Sequence, residues 1–180
     1  MTYGRAVSSP RFEIRPARPT DVARLQQIDI ATGAQFAEVG HPELDDGDHI
    51  PHDVALSAID ANCLFVADAG AHVLGYVYVT RSDGELCVGQ ISVDPTVQQH
   101  GVGTALMRHV MRRAADVGER SIVLSTQSDV VWNRPWYETL GFRVVMPADW
   151  TPDMHTIAVE QSAAGCDWST RVFMRLVLGS

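Results

Sequence analysis

The sequence contains no lysine: its 14 basic residues are all arginines, set against 22 acidic residues for a formal net charge of −8. The absence of lysine excludes the phosphate loop of nucleotide hydrolases, whose G-x-x-x-x-G-K-[ST] pattern needs an ammonium on the phosphates. The shortage of positive charge argues against a nucleic-acid or anionic-membrane partner, because the long-range field repels both, and favours a cationic one by steering. Cysteine is also scarce. Cys63, Cys87 and Cys166 are isolated, odd in number and without C-x-x-C spacing, so neither a disulfide framework nor a structural zinc site is suggested, and they read as small core residues. No apolar run approaches the ~18 residues of a membrane span, and the first ten residues lack the basic start and apolar stretch of a secretory signal. A cytoplasmic protein is expected.

What is present points to one folded unit. A chain of 180 residues with 46% hydrophobic content supports a single domain over 1–180 with its own core, in which 1–10 are expected to be flexible. The chain turns on residues 91–104, ISVDPTVQQHGVGT. Cys87, Val88, Ile91 and Val93 suit a buried strand, Pro95 removes a backbone donor and halts pairing, and after Gly103 the apolar period becomes helical. Gly101 and Gly103 lack Cβ atoms, so consecutive N–H groups can converge at the positive end of the following helix and hold a phosphate without a side-chain charge. A dinucleotide fingerprint would need a third glycine where Leu106 stands and an acidic residue ending the next strand, Ser121–Ser125, and has neither. What remains is Gln98-x-x-Gly101-x-Gly103 after a V-D-P turn, or an ordinary strand-to-helix turn.

Periodicity around this stretch predicts a mixed α/β sheet. A first strand covers Phe12–Arg15, and a helix capped by Thr20 or Asp21 runs to about Ala31 with Val22, Leu25 and Ile28 on one face. Pro51 to Ala61 offers a short second helix. Three strands follow at Cys63–Ala69, Val73–Arg81 and Leu86–Val93, joined by hairpin chemistry at Gly70-Ala71-His72 and Ser82-Asp83-Gly84, and so antiparallel. A helix over Gly103–Val117 places Leu106, Val110 and Ala114 inward and Arg108, Arg112 and Arg113 outward, and leads to a strand at Ser121–Thr126 parallel to the one before the loop. A short helix capped by Asn133 ends at Gly141, before a strand over Phe142–Met146. The divergent region 147–170 holds a helix from Thr151 or Asp153 to about Ala164, before a last strand at Arg171–Leu178.

Two stretches together resemble one known family. Gln98-x-x-Gly101-x-Gly103 is similar to the acyl-CoA loop, Q/R-x-x-G-x-G/A, of the GNAT N-acetyltransferase superfamily, and Tyr137-x-x-x-Gly141-Phe142 resembles its second signature, one helix and one strand further on. The resemblance covers about Phe12 to Met146. It implies a single GNAT domain with a central mixed sheet of about six or seven strands, flanked by helices. The strand Leu86–Val93 would splay from Ser121–Thr126 to admit the pantetheine arm of acetyl-CoA as a cosubstrate, with no metal. The resemblance assigns Ile91, Ser92 and Val93 to the arm, Gln98, Gln99, His100, Gly101, Val102, Gly103 and Thr104 to the pyrophosphate, Asn133 to the arm again, and Tyr137 to the departing thiolate as general acid.

The family commonly carries a glutamate on the strand before the loop, where this chain has Gly89 and Gln90. A base must then be reached through water, with Glu38, Glu85 and Glu160 as candidates and Glu38 ranked first, or the amine arrives neutral. The acidic segment 34–53 is open to two functional readings, a metal site around His49-x-x-His52 or, by resemblance, an acceptor wall; a solvated loop is the bland alternative. Glu38, Asp45, Asp46 and Glu160 are the candidate acceptor-binding residues. The ending of the chain, together with the W-N-x-P-W-Y stretch, looks like a bacterial subgroup that includes uncharacterised members and kasugamycin-type aminoglycoside N-acetyltransferases, which implies an aminoglycoside acceptor and resistance by N-acetylation; the acidic balance favours a small cationic amine, and resemblance to the superfamily is compatible with a homodimer. Polyamines, amino acids and protein N-termini stay open as acceptors, and a non-catalytic acyl-CoA-binding module is the rival class.

Overall fold

A computed structural model describes residues 11–42, 47, 49–163 and 165–179. Residues 1–10 and the acidic positions Glu43, Asp45, Asp46 and Asp48 lie outside the described residues. Seven strands form one mixed sheet in the order β1-β2-β3-β4-β5-β7-β6: β1 Glu13–Pro16, β2 Leu64–Asp68, β3 Val73–Ser82, β4 Glu85–Val93, β5 Ser121–Gln127, β6 Arg143–Val144 and β7 Arg171–Val177. The helices are α1 Val22–Ala37, α2 His52–Asp60, α3 Val102–Asp116, α4 Asn133–Thr139 and α5 Pro152–Ala163. Among the described residues no helix is long and apolar enough to cross a membrane.

The pairing β1 to β4 is antiparallel throughout, dictated by short turns between β2, β3 and β4, whereas β1 reaches β2 only through α1 and α2; β4 and β5 pair in parallel, as the intervening α3 requires. One face of the sheet carries the main core. Val77, Val79, Val88, Ile122, Leu124, Met174 and Leu176 pack against Val102, Leu106, Met107, Val110 and Ala114 of α3, with Tyr137 and Phe142 beside them. Leu106 and Met107 are fully buried, each such side chain contributing ~1.5–3 kcal/mol of burial. The opposite face is covered by two separate pads. Leu25 and Ile28 of α1 and Ala55 and Ala58 of α2 lie on Leu64, Val66 and Tyr76, whereas Met154 and Ala158 of α5 lie on Val123, Val145 and Phe173. The boundary between the pads falls at β4 and β5.

Four sequence expectations need correction. The first helix does not stop near Ala31 but continues to Ala37, because no residue breaks it and its last turn finds partners: Gln35 bonds Gln98, and the Phe36 ring lies 6.5 Å from Trp132. Asn133 is not the cap of α4; Trp132 holds that position and Asn133 is already helical. The strand expected over Phe142–Met146 is reduced to Arg143–Val144. Here Phe142 is withdrawn into the core, and Pro147 starts a helical turn just after Met146. The three cysteines are only half-buried; burial nonetheless pushes the Cys87 thiol up to about 11.

Glu85 is tied into the sheet, which removes it as a candidate base. Its carboxylate takes two bonds from Arg175 of β7, at 2.9 and 2.7 Å, and one from the Ser121 hydroxyl of β5. It thus bridges the first residue of β4 to a strand two places away. Burial raises its pKa, but the bonds from Arg175 and Ser121 outweigh that and hold it below the usual carboxylate range. A depressed carboxyl contributes stability that is present above its unfolded value and lost as pH falls through its folded one. Glu85→Gln is therefore expected to destabilise the fold by about 1–2 kcal/mol at pH 7. In denaturant titrations the gap to the wild type should narrow below about pH 4; a gap that stays constant with pH would contradict this role.

Candidate active site

The site grows from one extra residue in β4. Against β3, Tyr78 pairs with Gln90 but Val79 pairs with Val88, so Gly89 is the surplus residue of a β-bulge. The bulge does two things. It ends the pairing of β4 with β5, which runs through Leu86–Ile122, Cys87–Val123 and Val88–Leu124; beyond it, among the described residues, Gln90 to Val93 have no partner strand on that side. It also reverses the alternation of side chains. Ile91 and Val93 join Val88 on the α3 face, while Gln90 and Ser92 turn to α1. A Cβ at the bulge would stand 2.9 Å from Cδ1 of Tyr78, so any side chain there must push that ring aside.

Past Val93 the chain turns through Asp94, which accepts from the Thr96 N–H and hydroxyl at 2.8 and 2.6 Å and pairs with Arg24 of α1. The loop that follows is shaped by backbone conformation. Gln99 sits at φ 63° and Gly101 at φ 83°, the left-handed region that costs a non-glycine residue ~1–3 kcal/mol and concentrates at functional loops. Gln98 fixes the loop from inside, its Nε2 donating to Gln35 Oε1 at 2.7 Å and to the Val93 carbonyl at 3.3 Å, and the His100 ring nitrogen Nδ1 lies 2.8 Å from the Gln98 carbonyl oxygen. In α3 the first bond back to the loop is Ala105 N–H to Gly101 O at 2.9 Å. The N–H groups of Val102, Gly103 and Thr104 therefore have no carbonyl within the helix and stand at its positive end.

The two signature stretches touch. The Trp136 ring of α4 lies against Gly103, where a Cβ would come within 3.3 Å of it, and its Nε1 donates to Thr104 Oγ1 at 3.3 Å. Beside it, Tyr137 is 7% exposed, with its ring 4.7 Å from Trp136 and edge-on to Phe142 at 5.8 Å. Burial pushes the Tyr137 phenol well above its ordinary range, against an opposing contribution from the charge of Arg171; it stays protonated at neutral pH. Asn133 donates to Gln127 Oε1 at 3.3 Å.

The acceptor candidates are less closely grouped. Glu38 is exposed at the end of α1, on the segment where Gln35 reaches the glycine loop and His41 pairs with Asp129 at 3.1 Å. Glu160 is exposed on α5. Asp45 and Asp46 are outside the described residues. Among the described residues no group of three or more His, Cys, Asp or Glu is arranged to hold a metal ion. Of the arginines after the loop, Arg113 lies over the Phe65 ring at 4.8 Å, and Arg108 and Arg112 are exposed.

Sequence reasoning missed one residue that the structure makes central, Asp29. It is 5% exposed on α1 and accepts from the Tyr76 hydroxyl at 2.6 Å, the Ile50 N–H at 3.0 Å and Gln90 Nε2 at 2.9 Å. Its only sequence signal is an acid on the apolar side of a helix, one place after Ile28.

The chain that builds this site matches known proteins in sequence family and in fold. The Acetyltransferase (GNAT) family matches residues 29–142, and the chain belongs to this family of acetyl-CoA-dependent acetyltransferases. The fold is shared with the PaiA N-acetyltransferase from Thermoplasma acidophilum in complex with coenzyme A. That match has 13% identity over 93% of this chain and 99% of that one, with a TM-score of 0.71. It is shared too with a putative acetyltransferase from Salmonella typhimurium with its cofactor acetyl-CoA, at 20% identity over 94% and 95% and a TM-score of 0.67. The ribosomal-protein-S18-alanine N-acetyltransferase from Escherichia coli matches at 16% identity over 94% and 96%, with a TM-score of 0.65.

Gly89→Ala tests the bulge. The added methyl must displace the Tyr78 ring or flatten the strand, and the expected outcome is a loss of about 1–3 kcal/mol in stability together with weaker acetyl-CoA binding by calorimetry. Unchanged stability and binding would show that the bulge tolerates a side chain.

Proposed function

We propose that the protein transfers the acetyl group of acetyl-CoA to the primary amine of a small cationic acceptor, an aminoglycoside of the kasugamycin kind being the sharpest candidate, with resistance by N-acetylation as the consequence. The observation that carries the reading is the joining of the two signatures, the Trp136 ring packed on Gly103 with Tyr137 beside it. In this reading the pantetheine arm lies in the gap beside Ile91 and Val93, and the N–H groups over 98–104 take the pyrophosphate. Each anion–helix contact is worth roughly 0.3–1 kcal/mol or more where partly buried, and local amides are needed because the average charge of the protein is negative.

Acetyl transfer needs an in-line amine, a polarised thioester and a proton for the departing thiolate. Tyr137 supplies the proton. From an ordinary phenol near ~10 to a thiol near ~8.5 the transfer is uphill by ~2 kcal/mol. Burial makes it steeper, and Arg171 works the other way. What burial secures is a phenol that remains a donor throughout the working pH range. Glu38 receives the amine proton through water. The acidic balance of the chain supports a cationic acceptor by steering. Polyamines, amino acids and protein N-termini are the rival acceptors, and the proposal extends to a cytoplasmic, single-domain enzyme.

Tyr137→Phe is expected to leave acetyl-CoA affinity unchanged and to lower turnover at least ~10-fold, read as free-thiol release from acetyl-CoA. Because the phenol is raised, the wild-type rate should not fall as pH passes ~10 on its account; equal turnover in the variant would remove Tyr137 from the mechanism. In a panel of aminoglycosides, polyamines, amino acids and N-terminal peptides, the highest kcat/KM is expected on an aminoglycoside. Preference for a neutral or acidic acceptor would overturn the acceptor assignment.

A further inference from the structure

The bulge gives Gln90 a second neighbour besides the gap. Gln90 is the first residue after Gly89, half-buried, with its side chain on the α1 face, where Nε2 donates to Asp29 Oδ1 at 2.9 Å. The Asp29 carboxylate is held from every side: by the Tyr76 hydroxyl of β3 at 2.8 and 2.6 Å to its two oxygens, by the Ile50 N–H ahead of α2 at 3.0 Å, and by the Ser92 hydroxyl of β4. A carboxylate only accepts, whereas a carboxamide has a donor end and an acceptor end. Asp29 therefore decides which end of the Gln90 amide faces it. Nε2 is turned to α1, and Oε1, the acceptor end, has no hydrogen-bond partner among the described residues, on a residue whose backbone borders the stretch where β4 has parted from β5. A buried acid surrounded by four donors costs desolvation that a purely packing residue would avoid, and its pKa stands raised by that burial, against the bonds from Tyr76, Ile50 and Ser92 and the charge of His49.

We propose that Gln90 orients the acceptor amine, its Oε1 accepting an N–H of the attacking nitrogen, and that Asp29 is the positioning residue that sets the Gln90 amide for this task. The inference rests on the acetyltransferase reading above. One hydrogen on the amine is held by Oε1, which aims the nitrogen lone pair at the thioester carbon. The C–N bond forms, the C–S bond breaks, the thiolate takes its proton from Tyr137 and the amine proton leaves through water to Glu38. Gln90 and Asp29 neither gain nor lose a proton. A neutral amide thus performs the holding part of the work at a position where a second carboxylate would be repelled by Asp29.

The test is a double-mutant cycle on kcat/KM for the best amine of the panel, with acetyl-CoA affinity and thermal stability measured on each variant. Gln90→Leu keeps the volume of the side chain and removes its polar end. It is expected to lower kcat/KM at least ~10-fold, with acetyl-CoA affinity changed by less than about twofold because no cofactor contact is lost. Asp29→Asn presents a donor to donors and should lower kcat/KM comparably in the wild type, but by no more than about threefold further in the Gln90→Leu background, since its effect runs through Gln90. Fully additive losses would overturn the assignment of Asp29, and unchanged kcat/KM in Gln90→Leu would overturn the assignment of Gln90. If Asp29→Asn does not fold, Gln90→Leu decides alone by the split between amine kcat/KM and acetyl-CoA affinity. An active wild type whose Gln90→Leu variant is equally active sinks this inference only; a wild type that binds acetyl-CoA but releases no thiol with any amine sinks the acetyltransferase reading with it.

Discussion

The surplus residue at Gly89 is the constraint on which the rest of the site depends. Without the bulge, the two-residue alternation would put Gln90 and Ser92 on the α3 face beside Val88 and leave Ile91 and Val93 on the α1 side. With it, pairing stops at Val88–Leu124, and the two sides of β4 exchange roles: apolar Ile91 and Val93 seal the α3 core, and polar Gln90 and Ser92 meet the buried carboxylate on α1. A single glycine thus sets both the opening of the sheet and the chemistry of its wall. The cost is an interrupted ladder, which bridging contacts such as Glu85 to Arg175 across β5 offset.

The polar contacts of α1 explain why this helix outlasts its expected end. Arg24 holds Asp94 at the end of β4, Asp29 holds Gln90 and Ser92, and Gln35 holds Gln98 within the loop. One helix therefore pins the strand, the turn and the glycine loop as a unit. The loop keeps its left-handed residues, Gln99 and Gly101, because both sides are fixed, by α1 through Gln98 and by α4 through Trp136 on Gly103. A loop pre-shaped in this way would lose less entropy on taking up a ligand.

Much of the architecture was legible in the sequence because its signals are local. The hairpin turns at 70–72 and 82–84, the change of period at Gly103 and the glycine near 141 each announce themselves within a few residues, and the run β2-β3-β4-β5 follows from them; the insertion of β7 between β5 and β6 does not. The spacing of the two signatures was legible too. The bulge was not, since Val88-Gly89-Gln90 looks like any strand interior until its partner on β3 is known. Asp29 was hidden for the same reason: its donors come from β3, β4 and the segment before α2, 21 to more than 60 positions away. Glu85 looked like a free acid until β7 placed Arg175 beside it. Roles that depend on pairing register or on a remote partner leave no local trace.

The central claim is that coenzyme A occupies the gap opened by Gly89 and the amide-lined turn that follows it. Backbone hydrogen exchange with and without acetyl-CoA tests this most directly. Slowed exchange concentrated over 90–93 and 98–104 is the predicted result. Unchanged exchange there, or protection confined to the groove at the sheet edge lined by Arg143, Asp149 and Arg175, would contradict it.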